Sequence, residues 1–78
     1  MFKATVATPG KVLFEGAAWS VFLPGATGEF EVLEMHKAIV SLLYKGSIVI
    51  NCDKEIPIKS GVVRMAGDEL VAIVEESD

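Results

Sequence analysis

Few side chains in this sequence could do chemistry, and their spacing limits what that chemistry could be. The one histidine, His36, is the only side chain whose ordinary titration falls near neutral pH. A nucleophile and base would pair it with Ser41, the nearest hydroxyl in sequence, but no nucleophile-elbow motif surrounds Ser41. Glu29, Glu31 and Glu34 cluster, yet no second carboxylate group is spaced to complete an acid–base dyad with them. No glycine-rich phosphate loop and no Gly-Lys-Ser/Thr motif is present. His36, with no orienting partner in sight, therefore reads as a structural loop histidine. Cys52 sits in the turn-like run Asn51-Cys52-Asp53-Lys54 and reads as an unreactive thiol, because no Cys-x-x-Cys pair or basic cluster lowers its pKa. Trp19 reads as a mid-strand residue at a core edge, with an interface anchor as the competing role. Arg64, in Val63-Arg64-Met65, reads as a solvated strand-face residue. Catalysis by this chain alone is not expected, and no cofactor or metal is implied.

Composition narrows the remaining classes. The chain has 78 residues, enough for one small domain spanning 1–78. Seven Lys+Arg against eleven Asp+Glu leave a net charge of -4, which argues against a nucleic-acid partner. A hydrophobic share of 51% rules out disorder and leaves apolar surface to offer a partner. One cysteine cannot close an internal disulfide, and one cysteine with one histidine cannot make a thiolate-rich zinc site. The first residues lack the apolar region of a signal peptide, and the longest strictly apolar run, Leu70 to Val74, is far short of a membrane span. These features predict a soluble domain in a reducing compartment, without direct membrane insertion. At this size a single core rarely supplies more than about 3–5 kcal/mol, so association is the expected source of added stability.

The elements that must carry these residues are short. Turn residues recur at Pro9-Gly10, Gly16, Pro24-Gly25, Gly28, Gly46, Asp53, Gly61 and Gly67-Asp68. Segments rich in Val, Ile, Phe and Thr lie between them, the pattern of an all-β sandwich or barrel. Phe2, Ala4, Val6 and Thr8 alternate with Lys3, Thr5 and Ala7, which predicts a first strand. Val12–Phe14 and Ala17–Leu23 follow, the latter ended by Pro24. Further strands are predicted over Ser47–Asn51, Glu55–Ile58, Gly61–Ala66 and Glu69–Glu75, with Pro57 at an edge or bulge and a tight turn at Gly67-Asp68. Glu31 to Tyr44 is ambiguous: Val32, Met35, Ile39 and Leu42/Leu43 fit a helix, while a loop through His36 followed by a strand over Ile39–Leu43 fits as well.

The order of these segments resembles a known family. Thr8-Pro9-Gly10-Lys11-Val12-Leu13-Phe14-Glu15-Gly16 precedes Val21-Phe22-Leu23-Pro24-Gly25-Ala26-Thr27-Gly28-Glu29-Phe30. Then come Val32 to Ser41, Tyr44-Lys45-Gly46, and Lys59-Ser60-Gly61-Val62 with a last strand. Over nearly its whole length the chain resembles the N-terminal β-sandwich domain of the epsilon subunit of rotary ATP synthases. That family reads TP-x-G-x-V-F-x-G, then LPG-x-x-GE with a histidine seven residues after the glutamate, then SGG.

The resemblance implies an all-β fold: a flattened two-sheet sandwich of about ten short strands. It resolves the ambiguous stretch in favour of loop plus strand. It also implies a non-catalytic rotor subunit of the central stalk at the cytoplasmic face of the membrane. One face would pack on the gamma subunit and one end would touch the polar loops of the c-ring, coupling proton flow to ATP synthesis. Glu29 and His36 would lie at the ring-facing end, with Phe30 and Met35 giving apolar contact and Lys37 adding a charge. Trp19 and Arg64 are candidates for the gamma interface.

Departures are visible. The family's Gly-His-Ala-Pro reads Met35-His36-Lys37-Ala38 here, Glu31 replaces a glycine, and Val62 replaces the second glycine of Ser-Gly-Gly. The family's two C-terminal helices, which carry its ATP binding and its inhibition of hydrolysis, have no counterpart in these 78 residues, and the untagged ends lead to the expectation of a naturally short chain. A competing reading from another class is a biotinyl- or lipoyl-like carrier domain with Lys37 as the attachment site. Lys37, however, lacks flanking half-repeats. A β-sandwich interaction module with some other partner is a third.

Overall fold

A computed structural model describes residues 1–34 and 37–77. The first strand, β1 (Phe2–Ala7), shows the alternation that builds the rest: Phe2, Ala4 and Val6 are buried while Lys3 is exposed. It is followed by β2 (Val12–Ala18), β3 (Ser20–Gly25), β4 (Gly28–Leu33) and β5 (Ile39–Leu43). The chain continues through β6 (Gly46–Ile50), β7 (Lys54–Ala66) and β8 (Glu69–Glu76). No helix occurs among the described residues.

The strands pair in one continuous ladder, β2-β1-β8-β7-β5-β3-β4, with β6 bridging β3 and β7. Among the described residues only β1 and β8 run parallel. The ladder folds over itself into two layers. One holds β2, β1, β8, the second half of β7, and β5; the other holds β4, β3, β6 and the first half of β7. The shortest dimension, 22 Å, matches two sheets about 10 Å apart plus their outer side chains. Between the layers lie Phe2, Leu23, Leu43, Ile48, Ile58, Met65 and Leu70, each 2% exposed or less. The all-β sandwich expected from the sequence is therefore what forms, with eight strands among the described residues rather than about ten.

Several boundaries differ from the sequence reading. Residues 55–58 and 61–66 belong to one strand, β7, because a bulge at Lys59 turns the corner between layers without breaking the ladder. Pro57 pairs with Ser47 in the half of β7 before β8 joins, an edge-like position. Gly16 does not end β2; it pairs with Ala4, and the break falls at Trp19 instead. Pro24 does not end β3 either, and pairs with Glu29. Around Pro24 the neighbour of β3 changes from β6 to β5, so no ladder bond needs the N–H that proline lacks. Glu31–Leu33 belongs to β4, which the sequence reading missed, while Ile39–Leu43 is the strand that the resemblance implied. Each is chosen by its partner, β3 for the one and β7 for the other.

Close packing at the corner makes Gly61 obligatory. A Cβ there would lie 2.8 Å from the Ile73 carbonyl oxygen and 2.8 Å from Val74 Cγ1. Gly61→Ala is expected to cost about 1–3 kcal/mol, read as a lower urea midpoint. Gly10→Ala, whose Cβ would meet only Thr8 Oγ1 at 3.9 Å, serves as the comparison and should stay near the parent value. Equal midpoints for the two variants would show that the corner has slack.

Candidate functional site

The chain passes between layers at Trp19, and Asn51 holds that bend. Asn51 Oδ1 accepts hydrogen bonds from the Trp19 N–H at 2.8 Å and the Ser20 N–H at 3.4 Å, and Nδ2 donates to the Ala17 carbonyl at 3.3 Å. Beside it the buried Ser20 hydroxyl donates to Glu31 Oε2 at 2.6 Å. Trp19 itself is 47% exposed, so it is neither mid-strand nor core. Its side chain falls on the outward side of the alternation, between buried Ala18 and buried Ser20.

Glu29 and Phe30 begin β4 next to the Ala26-Thr27 turn. Glu29 is exposed, while the Phe30 ring lies over Gly25 and packs against the core. Phe30 is thus a packing residue rather than an exposed contact. Met35 and His36 lie outside the described residues. Their described neighbours, Glu34 and Lys37, sit at the end of the sandwich opposite Glu29. Leu33 pairs with Ser20 at the far end of the hairpin, and the Met1 ammonium group pairs with Glu34 there. Ile39 pairs with Met65, whose row continues through Leu70 to Ala4, whereas Leu43 meets Gly25 at the turn. Four residue steps along β4 separate Glu29 from Leu33, about 13 Å of chain. The expectation that Glu29 and Lys37 share one end therefore fails. Lys37 also falls between β4 and β5, in the connection over residues 34–38, rather than crowning a two-residue hairpin, which gives the carrier reading no support.

The open feature is the outer face of the β1-containing layer. Leu42, Val62, Ile73, Ala7 and Val12 form one cross-strand row, and Val40, Arg64, Val71 and Thr5 form the next. Val40 is 73% exposed, Leu42 60% and Ile73 42%. At the corner this face runs into a groove of about 880 Å³ that Leu42, Tyr44, Val62 and Ile73 help to line. Arg64 stands in the middle of the face. The sequence reading singled out Arg64 but missed its apolar neighbours. A signal was present: β5 and β8 are apolar at consecutive positions, where a strand with one solvated face should alternate. Trp19, at the bend, belongs to no row of this face.

Among the described residues no group of three or more His, Cys, Asp or Glu could hold a metal ion. Ser41 Oγ donates to the Leu42 carbonyl at 3.1 Å. Among the described residues no helix is long and apolar enough to cross a membrane.

The described residues thus form a two-layer all-β sandwich with exposed apolar rows on one outer face. The chain belongs to the ATP synthase delta/epsilon chain β-sandwich domain family, whose sequence profile matches residues 1–77. It is 37% identical over 79 aligned positions to an ATP synthase epsilon chain of Sulfurovum sp., covering 96% of this chain and 62% of that one. It is 38% identical over 79 positions to the epsilon chain of Sulfurimonas denitrificans, covering 94% and 59%. The chain thus spans about three-fifths of the length of these relatives. Among solved structures the fold matches a chain of the central stalk/c-ring of the Tetrahymena thermophila mitochondrial ATP synthase, with a TM-score of 0.81 at 15% identity, covering 95% of this chain and 63% of that one. A chain of the Euglena gracilis mitochondrial ATP synthase gives the same TM-score at 16% identity, covering 94% and 49%.

Proposed function

We propose that this chain is the sandwich portion of a non-catalytic central-stalk subunit that links the gamma subunit to the c-ring of a proton-translocating ATP synthase. The apolar outer face carries this reading. An antiparallel sheet face left to water is normally polar, and Val40, Leu42, Val62 and Ile73 become favourable only when a partner covers them. The gamma subunit is the partner assigned to this face, with Arg64 at its centre. The ring loops are assigned to the end that carries Glu29 and the Ala26-Thr27 turn, where an exposed carboxylate can accept charge-assisted hydrogen bonds. Lys37, at the other end, and Trp19, off the face, are then outside these two contacts. The mechanism is mechanical: torque generated at the ring passes through a rigid double-layered sheet to gamma. The subunit works peripherally, at the cytoplasmic face of the membrane.

The test is affinity for the gamma subunit of the same organism. Leu42→Asp should weaken binding about tenfold or more, since tenfold is about 1.4 kcal/mol and a carboxylate at a dry contact costs at least that. Because Leu42 is 60% exposed, its melting temperature should stay close to the parent value. Parent-like gamma binding by a folded Leu42→Asp chain would remove the face from the interface.

A further inference from the structure

We infer that the surface which covers the β1-layer face presents a carboxylate to Arg64, set among apolar side chains. The inference rests on the gamma-binding reading above and specifies the chemistry of the partner. Arg64 pairs directly with Val40 on β5 and Val71 on β8, and it has Val62 two residues before it and Ala66 two residues after it on its own strand. Side chains two apart on a strand share a face, so the guanidinium rises from an apolar surround. The ion pairs among the described residues join Met1 with Glu34, Lys3 with Glu15, and Lys11 with Glu76; none involves Arg64. Along the row that contains Arg64, the charged residue reached is Glu15 on β2, three strands away, and it is held by Lys3 at 3.3 Å. Glu69, one row further along, is the diagonal cross-strand neighbour of Arg64, lies in register with Ala66 and Lys3, and makes no ion pair with Arg64 among the described residues.

A cation whose direct cross-strand neighbours are Val40 and Val71 sets a condition on whatever covers it. The apolar rows favour a dry contact, and a dry contact strips water from the guanidinium. An uncompensated buried charge would cancel much of the gain from the surrounding valines and leucine. A carboxylate removes that penalty, because the planar fork of arginine accepts it through two parallel hydrogen bonds. The chain's own net charge of -4 would repel an acidic partner elsewhere, so the carboxylate is placed by Arg64 and not by the general field. The complementary surface therefore has an apolar side chain over Leu42 and Val62 and a carboxylate about 7 Å away, the two-residue step along β7 from Val62 to Arg64.

Three variants of the full chain test this against the gamma subunit, with Leu42→Asp as the control for the underlying interface. Arg64→Met, which keeps length and apolar bulk, should weaken binding about thirtyfold. The parent's affinity should fall between about 0.1 M and 1 M salt, as the Debye length drops from about 10 to about 3 Å, and Arg64→Met should lose most of that dependence. Arg64→Glu should weaken binding further than Arg64→Met, since it sets two carboxylates against each other. In the Arg64→Lys variant, a carbodiimide should join the new amine to the partner's carboxylate as an amide with loss of water, and peptide mapping would identify the acidic residue. If Leu42→Asp abolishes binding while Arg64→Met binds like the parent with the same salt dependence, the carboxylate is absent and the inference is overturned, with the interface intact. If neither variant changes binding, the interface reading itself has failed.

Discussion

Phe2→Ala is expected to leave the isolated chain mostly unfolded at 25 °C. Phe2 is 2% exposed and lies in the core between the two layers. Removing a buried phenyl ring costs about 3–5 kcal/mol. A single core at this chain length supplies about the same amount in total. The described residues offer no disulfide or metal cluster to hold the remainder together. Far-ultraviolet circular dichroism against urea is the measurement: the parent should show a cooperative transition, and Phe2→Ala little or none. Phe2→Leu, which keeps most of the volume, should cost under about 1.5 kcal/mol and retain the transition. A parent-like midpoint for Phe2→Ala would mean that the interlayer core is not where the stability resides. Gamma added in excess should restore structure to the variant if binding is selective for the folded form.

Asn51→Ala is the second large effect, and it acts at the opposite end of the same logic, through backbone rather than core. Asn51 has φ 55°, in the left-handed region that asparagine tolerates better than alanine. Its side chain makes three hydrogen bonds across the bend at Trp19. Alanine adds about 1–2 kcal/mol of backbone strain and leaves the Trp19 and Ser20 N–H groups without that acceptor. The combined loss is expected to be about 2–3 kcal/mol, read as a urea midpoint. Asn51→Gly separates the two causes, because glycine adopts the positive φ freely but cannot bridge the bend. It should lose about half as much. Equal losses for the two variants would assign the whole effect to the hydrogen bonds. Since the bend orients Trp19, its fluorescence should shift in both variants before global unfolding.

The all-β class was legible because it rests on local physics. The alternation of Phe2, Ala4 and Val6 with Lys3 and Thr5 needs only a half-buried strand, and Gly67, at φ 62°, makes the turn that its type foretold. The family, too, was legible in Leu23-Pro24-Gly25 with Gly28-Glu29, because these residues build one hairpin whose tight turn restricts what can occupy it. Whether Gly16 and Pro24 end strands could not be read locally. The answer depended on which strand lay alongside and whether it needed an N–H at that point. The stretch from Glu31 to Tyr44 fitted a helix as well as a strand until β3 and β7 supplied the hydrogen-bond partners that decide it.

The candidate site divides in the same way. The chemistry of Glu29, Lys37 and Arg64 is written in their side chains, but their separation in space is not. Glu29 and Lys37 are near in sequence, and β4 carries them to opposite ends of the sandwich. Arg64 and Val40 are far apart in sequence, and the β5–β7 register makes them neighbours. By itself the sequence determined strands, turns and an apolar excess, since each follows from residue type and short-range spacing. The tertiary structure alone decided which apolar residues remain outside. A strand has two faces, and only the packing of one layer on the other selects the face that is buried and leaves Val40, Leu42, Val62 and Ile73 exposed.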